Sequence, residues 1–372
     1  MIELWTLMII ALVLSWIHEH TYMGTKNRAI SKHKISVVFI IMLLFLGGYL
    51  GLRVRNNDTI TYKIAYEQMS GFPQFWNTFD SSLSKDPGFN LVNATLKTLG
   101  VSTQSWLMFY ALVTVGLYLH FIRKYRNNLV LNIYLFICVG LYGFAGAAIK
   151  QSLATAICLC ALPFAEEKKW VRYILLVFLA STFHMYALIY LLVPFLMFKP
   201  WTKRTVLLII GTVVIAFSLH NLFGAIAEIT SSVGEGYTTE TFSGEGVNIF
   251  RILVSNVPVL LALFFHKEIF KDSTKSENMM FNLSMINGCI MFIGMFGTAN
   301  YFARLANYFV AAQAITLPWL IDKLNAKNRR FLKITMVLCY LGYYYYSTNI
   351  VYGLYSNRFE RITIMEYLQQ LF

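Results

Sequence analysis

The sequence predicts an all-α polytopic membrane protein, and three observations lead there. Of 372 residues, 57% are hydrophobic and only 13% are charged, about half the charged share of ordinary soluble chains. Apolar runs of roughly 15–20 residues recur along the whole length, which suits helices that cross a bilayer. Lysines and arginines gather in the short segments between those runs, the distribution that orients membrane helices. The short alternating segments of a transmembrane barrel are absent. The net charge of +13 therefore reads as membrane topology, and no nucleic-acid partner is expected.

The runs place about twelve transmembrane helices in a single domain covering 1–372. They centre on 3–17, 35–52, 104–121, 129–145, 147–165, 170–182, 184–198, 204–220, 248–266, 278–297, 300–321 and 331–349. The first has no cationic leader or small-residue cleavage site and reads as a retained helix. The sixth and seventh are short and suggest one broken unit around Thr182, Phe183 and His184. If the segment after the first run is cytoplasmic, most of the 31 Lys and Arg fall on the cytoplasmic side. Both termini are then extracytoplasmic. Two outer loops are long, about 53–103 and 221–247, as befits lids or binding surfaces. The second carries Glu228, Glu235, Glu240 and Glu245 without a cation, and reads equally well as solvated surface. The five cysteines lie inside apolar runs without metal-ligand spacing. Neither metal nor cofactor is expected.

The stretch GAAIKQSLATAICLCALPFA, residues 146–165, poses the first chemical question. Lys150 near a helix start opposes the positive end of the helix dipole and carries a desolvation cost. Either it snorkels to water or something anionic lies beside it. His184, Arg251 and Arg304 stand near the outer starts of other inward-running helices, and Arg53 and Arg55 follow the second run at the same level. Helix starts already favour anions. In TANYFARLANYFVAAQ, helical spacing puts Asn300, Arg304, Asn307 and Ala311 on one stripe, flanked by Tyr301 and Tyr308. A polar stripe on a membrane helix suits a cavity better than lipid.

Acid–base candidates are few. An imidazole such as His184 suits general-base work near neutral pH, or is a structural histidine. Asp58 and Asp86 would orient a sugar hydroxyl, take a proton, or form loop ion pairs. The outer-loop aromatics Tyr62, Tyr66, Phe72, Phe75 and Trp76 suit either sugar stacking or an interfacial belt. Nucleotide-binding and soluble-hydrolase motifs are absent, which favours a donor activated before it reaches this protein.

Five pieces carry a family resemblance: RVRNNDTITY at 53–62, DPGF at 86–89, KQSLA at 150–154, FHMYALI at 183–189 and RLANYF at 304–309. In this order the chain resembles the EpsG-type, Wzy-like bacterial polysaccharide polymerases over about 50–310. It has Lys150–Gln151 where the family often has Arg–Gln, and Asp86–Pro87–Gly88 where the family often has Glu–Pro–Gly. Both changes keep charge, but lysine lacks arginine's bidentate fork.

The resemblance implies a GT-C-like bundle in the bacterial cytoplasmic membrane. It implies polymerisation of undecaprenyl-pyrophosphate-linked oligosaccharides (O-antigen, capsule or exopolysaccharide repeat units) on the outer face. The charge map in turn assigns Arg304, then Lys150, then Arg53 and Arg55 to the departing pyrophosphate, and His184 to the acceptor hydroxyl, with Asp58 or Asp86 as the competing base. Gln151, Tyr301, Asn307 and Tyr308 would position substrate. Membrane lipid is a partner, and a separate chain-length regulator is left open. Three other readings compete. A lipid-linked oligosaccharide flippase needs cations across the whole bilayer. A secondary transporter needs inverted repeats, which the sequence does not show. A membrane acyltransferase needs an acyl-donor site and a nucleophile.

Overall fold

The computed structural model describes residues 2–23, 36–78, 86–232, 238–242, 244–351 and 359–370. Among the described residues, the regular structure is helical apart from one two-stranded antiparallel ribbon. The chain divides into two compact units. The first comprises Met1–Leu162, Leu175–Ala187 and Leu338–Phe372; the second comprises Pro163–Ile174 and Leu188–Val337.

In the first unit α1 (Ile2–Met23) and α2 (Val37–Gly51) precede strand β1 (Arg53–Arg55). Then come α3 (Thr59–Gln68), α4 (Phe75–Thr78), α5 (Pro87–Thr98), α6 (Thr103–Tyr125), α7 (Leu129–Cys138), α8 (Leu141–Ala147) and α9 (Ile149–Glu166). Caps explain several starts. Ser36, Ser102 and Asn128 each accept a backbone N–H from the first turn of α2, α6 and α7, satisfying donors that a helix start leaves open. Helix α2 lies along α6 at very short range. A Cβ at Gly51 would sit 2.4 Å from Met108 Sδ, and one at Gly47 would sit 2.7 Å from Leu112 Cδ2. This small-residue pair, four apart, lets the two backbones approach as membrane helices do.

The segment expected as the first outer loop, 53–103, is built structure. It holds β1, α3, α4 and α5; residues 79–85 lie outside the described residues. Strand β1 pairs with β2 (Glu360–Arg361), Arg53 opposite Arg361. Tyr66 stacks on Trp106 at 4.9 Å and donates its hydroxyl to the Val101 carbonyl at 2.9 Å. Phe75 is buried, whereas its neighbour Trp76 is exposed. The loop aromatics thus divide between packing and surface.

Helix α10 (Trp170–Ser181) ends at the expected break. Thr182 and Phe183 form a turn, and after His184 the chain continues as a 3-10 helix (Met185–Leu196).

The second unit contains α11 (Lys203–Ser232), α12 (Thr239–Phe242), α13 (Ile249–Ile269), α14 (Lys275–Ile293), α15 (Ala299–Ala306) and α16 (Val310–Asp322). Helix α11 runs to Ser232 and so takes in the start of the expected 221–247 loop. The end of that loop is bonded to the unit: Val247 N–H donates to Gly294 O and Ala299 N–H to Glu245 O, both at 2.8 Å. Phe242, fully buried, meets Tyr301 at 4.9 Å. Glu235 lies outside the described residues. Helix α17 (Ala326–Tyr345) and α18 (Ile364–Gln369) complete the chain.

Each of the twelve expected segments holds helical structure, but length and apolarity separate them. Four described helices are long and apolar enough to cross a membrane: Leu4–Thr21, Thr103–Tyr125, Lys203–Ser232 and Ile249–Ile269. The pair α7 and α8, bent by 51°, makes a fifth if it is one span. Helices α2, α10, the 3-10 helix and α16 have 12–15 residues, short against the ~20 residues that a hydrocarbon core asks for. Helix α14 carries Asn278, Asn282 and Asn287, and α17 opens on a cationic turn.

Candidate functional site

Asp86 is the N-cap residue of α5, yet its side chain makes no cap hydrogen bond. An aspartate at this position ordinarily turns onto its own helix amides. Here Oδ2 lies 2.6 Å from Nζ of Lys150, the second residue of α9. Only 11% of the Asp86 side chain and 27% of the Lys150 side chain are exposed. The ammonium also lies 5.1 Å from the Phe89 ring centroid and 5.9 Å from that of Tyr62, near enough for each ring face to attract it. Lys150 does have an anionic neighbour. The carboxylate offsets the cost of a cation at a helix start, and partial burial makes the pair worth more than one in open water.

The start of α5 is fixed from a second direction. Gly88 and Phe89 donate their N–H groups to the Thr182 carbonyl at 2.9 and 3.4 Å. A Cβ on Gly88 would sit 2.1 Å from Thr182 Oγ1, so only glycine lets the helix come this close. DPGF and the turn before His184, distant in sequence, are therefore one structural corner. His184 itself is half-buried, its ring 5.3 Å from that of Tyr186.

Beside the ion pair opens a cavity of about 310 Å³ lined by Thr61, Tyr62, Tyr66, Phe89, Asn93 and Lys150, among others. Asn93 is almost wholly buried. Its Oδ1 accepts hydrogen bonds from Trp106 Nε1 and the Tyr110 hydroxyl, both at 2.8 Å. An indole N–H only donates, so this contact fixes which end of the amide is oxygen.

The other expected residues are placed differently. Arg53 is 1% exposed and donates through Nε to Thr59 Oγ1 at 3.2 Å and through Nη1 to the Leu50 carbonyl at 2.7 Å. Burial lowers its guanidinium to about 10, so it stays charged at neutral pH. Two of its nitrogens are engaged in holding the turn after α2. Arg55 and Asp58 are exposed. Gln151 is buried and lies outside the cavity lining.

In the second unit, the expected stripe on one continuous helix does not form. A turn at Asn307, Tyr308 and Phe309 separates α15 from α16, so Ala311 leaves the stripe. Arg304 stands in the last turn of the eight-residue α15. It complements the helix's negative end and does not reinforce a helix start. The turn is held at Tyr308, fully buried, whose carbonyl accepts the Tyr190 hydroxyl at 2.7 Å. Arg304 is exposed, and Tyr301 and Asn307 are half-buried.

Sequence reasoning missed Thr61, Asn90 and Asn93, which line the cavity. A signal was present: Phe89 and Asn93 are four apart, hence on one face of α5.

A family model described as the EpsG family matches residues 36–359. No curated protein and no solved structure matches the chain.

Proposed function

Because the chain belongs to the EpsG family of Wzy-like, polysaccharide-polymerase-type membrane proteins, we propose that it is a glycosyltransferase that joins lipid-linked oligosaccharide repeat units. The donor in this reading is a glycan on undecaprenyl pyrophosphate, presented at the outer face of the bacterial cytoplasmic membrane. The acceptor is a second lipid-linked unit. About twelve membrane-embedded helices, with both termini outside, belong to the same proposal. What supports it, beyond the family, is the Lys150–Asp86 pair, whose lysine lines a cavity with residues of α3 and α5.

The chemistry follows from that pair. The acceptor hydroxyl oxygen forms a bond to the donor's anomeric carbon. The bond from that carbon to the pyrophosphate breaks, and the pyrophosphate leaves with the electron pair. Lys150 is a cation already in place where that charge develops, and a preorganised cation lowers the barrier most. Its aromatic flank limits solvent screening. The hydroxyl proton goes to a base. His184 and Asp86, on the two strands of chain joined at the Gly88–Thr182 contact, are the candidates; Asp58 is the exposed alternative. Arg304, exposed on the second unit, is proposed as an anion contact of that unit by itself, with Tyr301 and Asn307 half-buried on the same stretch of chain. Arg55 is the more available of the two loop arginines.

The test is direct. Purified protein with lipid-linked repeat units should yield a ladder of products, and Lys150→Ala should not. A protein that moves the lipid-linked unit across vesicles but makes no ladder is a flippase, and the reading fails.

A further inference from the structure

We propose that the cavity beside Lys150 is the subsite for the donor's first sugar, the ring joined to the diphosphate, and that Asn93 selects a sugar bearing a carbonyl-type acceptor on that ring. The proposal rests on the glycosyltransferase reading for the identity of its ligand. Four observations carry it.

Size comes first. At about 310 Å³ the cavity stands at the small end of the ~300–1,000 Å³ typical of ligand sites. It suits one substituted sugar ring and is too small for a whole repeat unit. Position is second. Lys150 lines the cavity. If its ammonium grips a phosphate oxygen, the ring one glycosidic oxygen away from that phosphate is the one within reach of the walls. The third is the wall chemistry. Tyr62, half-buried, offers apolar ring surface, negative at the face, which matches the C–H face of a pyranose, and Phe89, buried, completes the wall.

Asn93 is the fourth and sharpest. Trp106 and Tyr110 occupy its oxygen, so the group it has to offer is N–H₂, and the orientation cannot invert without stranding the indole donor. A buried, fixed donor selects an acceptor, and the amide oxygen of an acetamido group or a carboxylate oxygen accepts more strongly than a sugar hydroxyl, which must also place its own hydrogen. A site of this kind discriminates more sharply than an apolar wall. Asp86, the carboxylate of the pair, is already neutralised by Lys150, so it does not repel an acidic sugar.

The experiment uses full-length protein in detergent and three probes: geranyl diphosphate, geranyl-diphospho-glucose and geranyl-diphospho-N-acetylglucosamine, compared by calorimetry. The acetamido probe should bind on the order of 10-fold tighter than the glucose probe. Asn93→Asp keeps the oxygen for Trp106 and Tyr110 but removes the donor. It should erase that preference, read as the ratio of the two sugar probes, because an added carboxylate lowers the affinity of every diphosphate probe alike. Asn93→Gln, a milder change if the aspartate variant folds poorly, keeps an amide but displaces its donor, and should likewise lower the ratio of the acetamido to the glucose probe. A preference that survives Asn93→Asp, or sugar probes that bind no tighter than geranyl diphosphate in the wild type, overturns the subsite. The polymerase reading is judged separately. A ladder from lipid-linked units with no sugar preference leaves it standing without the subsite. A preference through Asn93 with no ladder leaves a sugar site without a polymerase.

Discussion

Asp86 Oδ2 and Lys150 Nζ meet at 2.6 Å, joining the start of α5 to the start of α9 across 64 residues of sequence. This one contact gathers the DPGF corner, the lysine at a helix start and the cavity into a single locus.

The pair's structural and chemical roles separate by a charge swap. Asp86→Lys with Lys150→Asp restores an ion pair and should recover most of the roughly 1–2 kcal/mol lost by either single change, read by unfolding in detergent. Polymer synthesis should not recover, because the cation then stands on the wrong helix. Recovery of product along with stability would reduce the pair to a structural bridge.

Gly88 should tolerate no side chain. Gly88→Ala drives a methyl into Thr182 and should cost about 1–3 kcal/mol, the usual range for overpacking. Adding Thr182→Gly should return part of that. If the single variant is as stable and active as the wild type, the corner is not the close contact described here.

The two loop arginines should behave oppositely. Arg53→Ala removes two buried donors from Leu50 O and Thr59 Oγ1 and should destabilise by about 2–4 kcal/mol. Arg55→Ala should change stability by no more than about 0.5 kcal/mol, and its effect should appear as weaker donor binding. Equal stability of both variants would show that burial does not distinguish them.

Much of this was legible in the sequence, for identifiable reasons. Helical content followed from long apolar runs, and the break at Thr182–Phe183–His184 from two runs too short to stand alone. Lys150 stood out because a cation at a helix start needs a partner. That Asp86 is the partner was not readable, since the pairing spans 64 positions and an N-cap aspartate ordinarily serves its own helix. The turn at Asn307–Phe309 was hidden because no proline or glycine marks it; Tyr190 and Tyr308 hold it through a tertiary bond. Asn93 escaped because an asparagine in a loop is unremarkable until its oxygen is seen between Trp106 and Tyr110.

Arg304→Ala and His184→Ala should each abolish long polymer while the protein still reaches the membrane, measured by glycan length on gels beside membrane immunoblots. Normal chain lengths in both variants would remove these two residues from the reaction.

The proposed topology is open to labelling. Single cysteines at the exposed Gln74 and Leu99, in the proposed first outer loop, should react in intact cells with a membrane-impermeant maleimide, and one at Lys271 should react only after permeabilisation. Labelling of Lys271→Cys in intact cells would reverse the orientation.

If Lys150 holds the departing diphosphate, its charge should set how much product purified protein makes from lipid-linked repeat units. Wild type should give a full ladder, Lys150→Arg a reduced one and Lys150→Ala none. A full ladder from Lys150→Ala would take Lys150 out of the reaction.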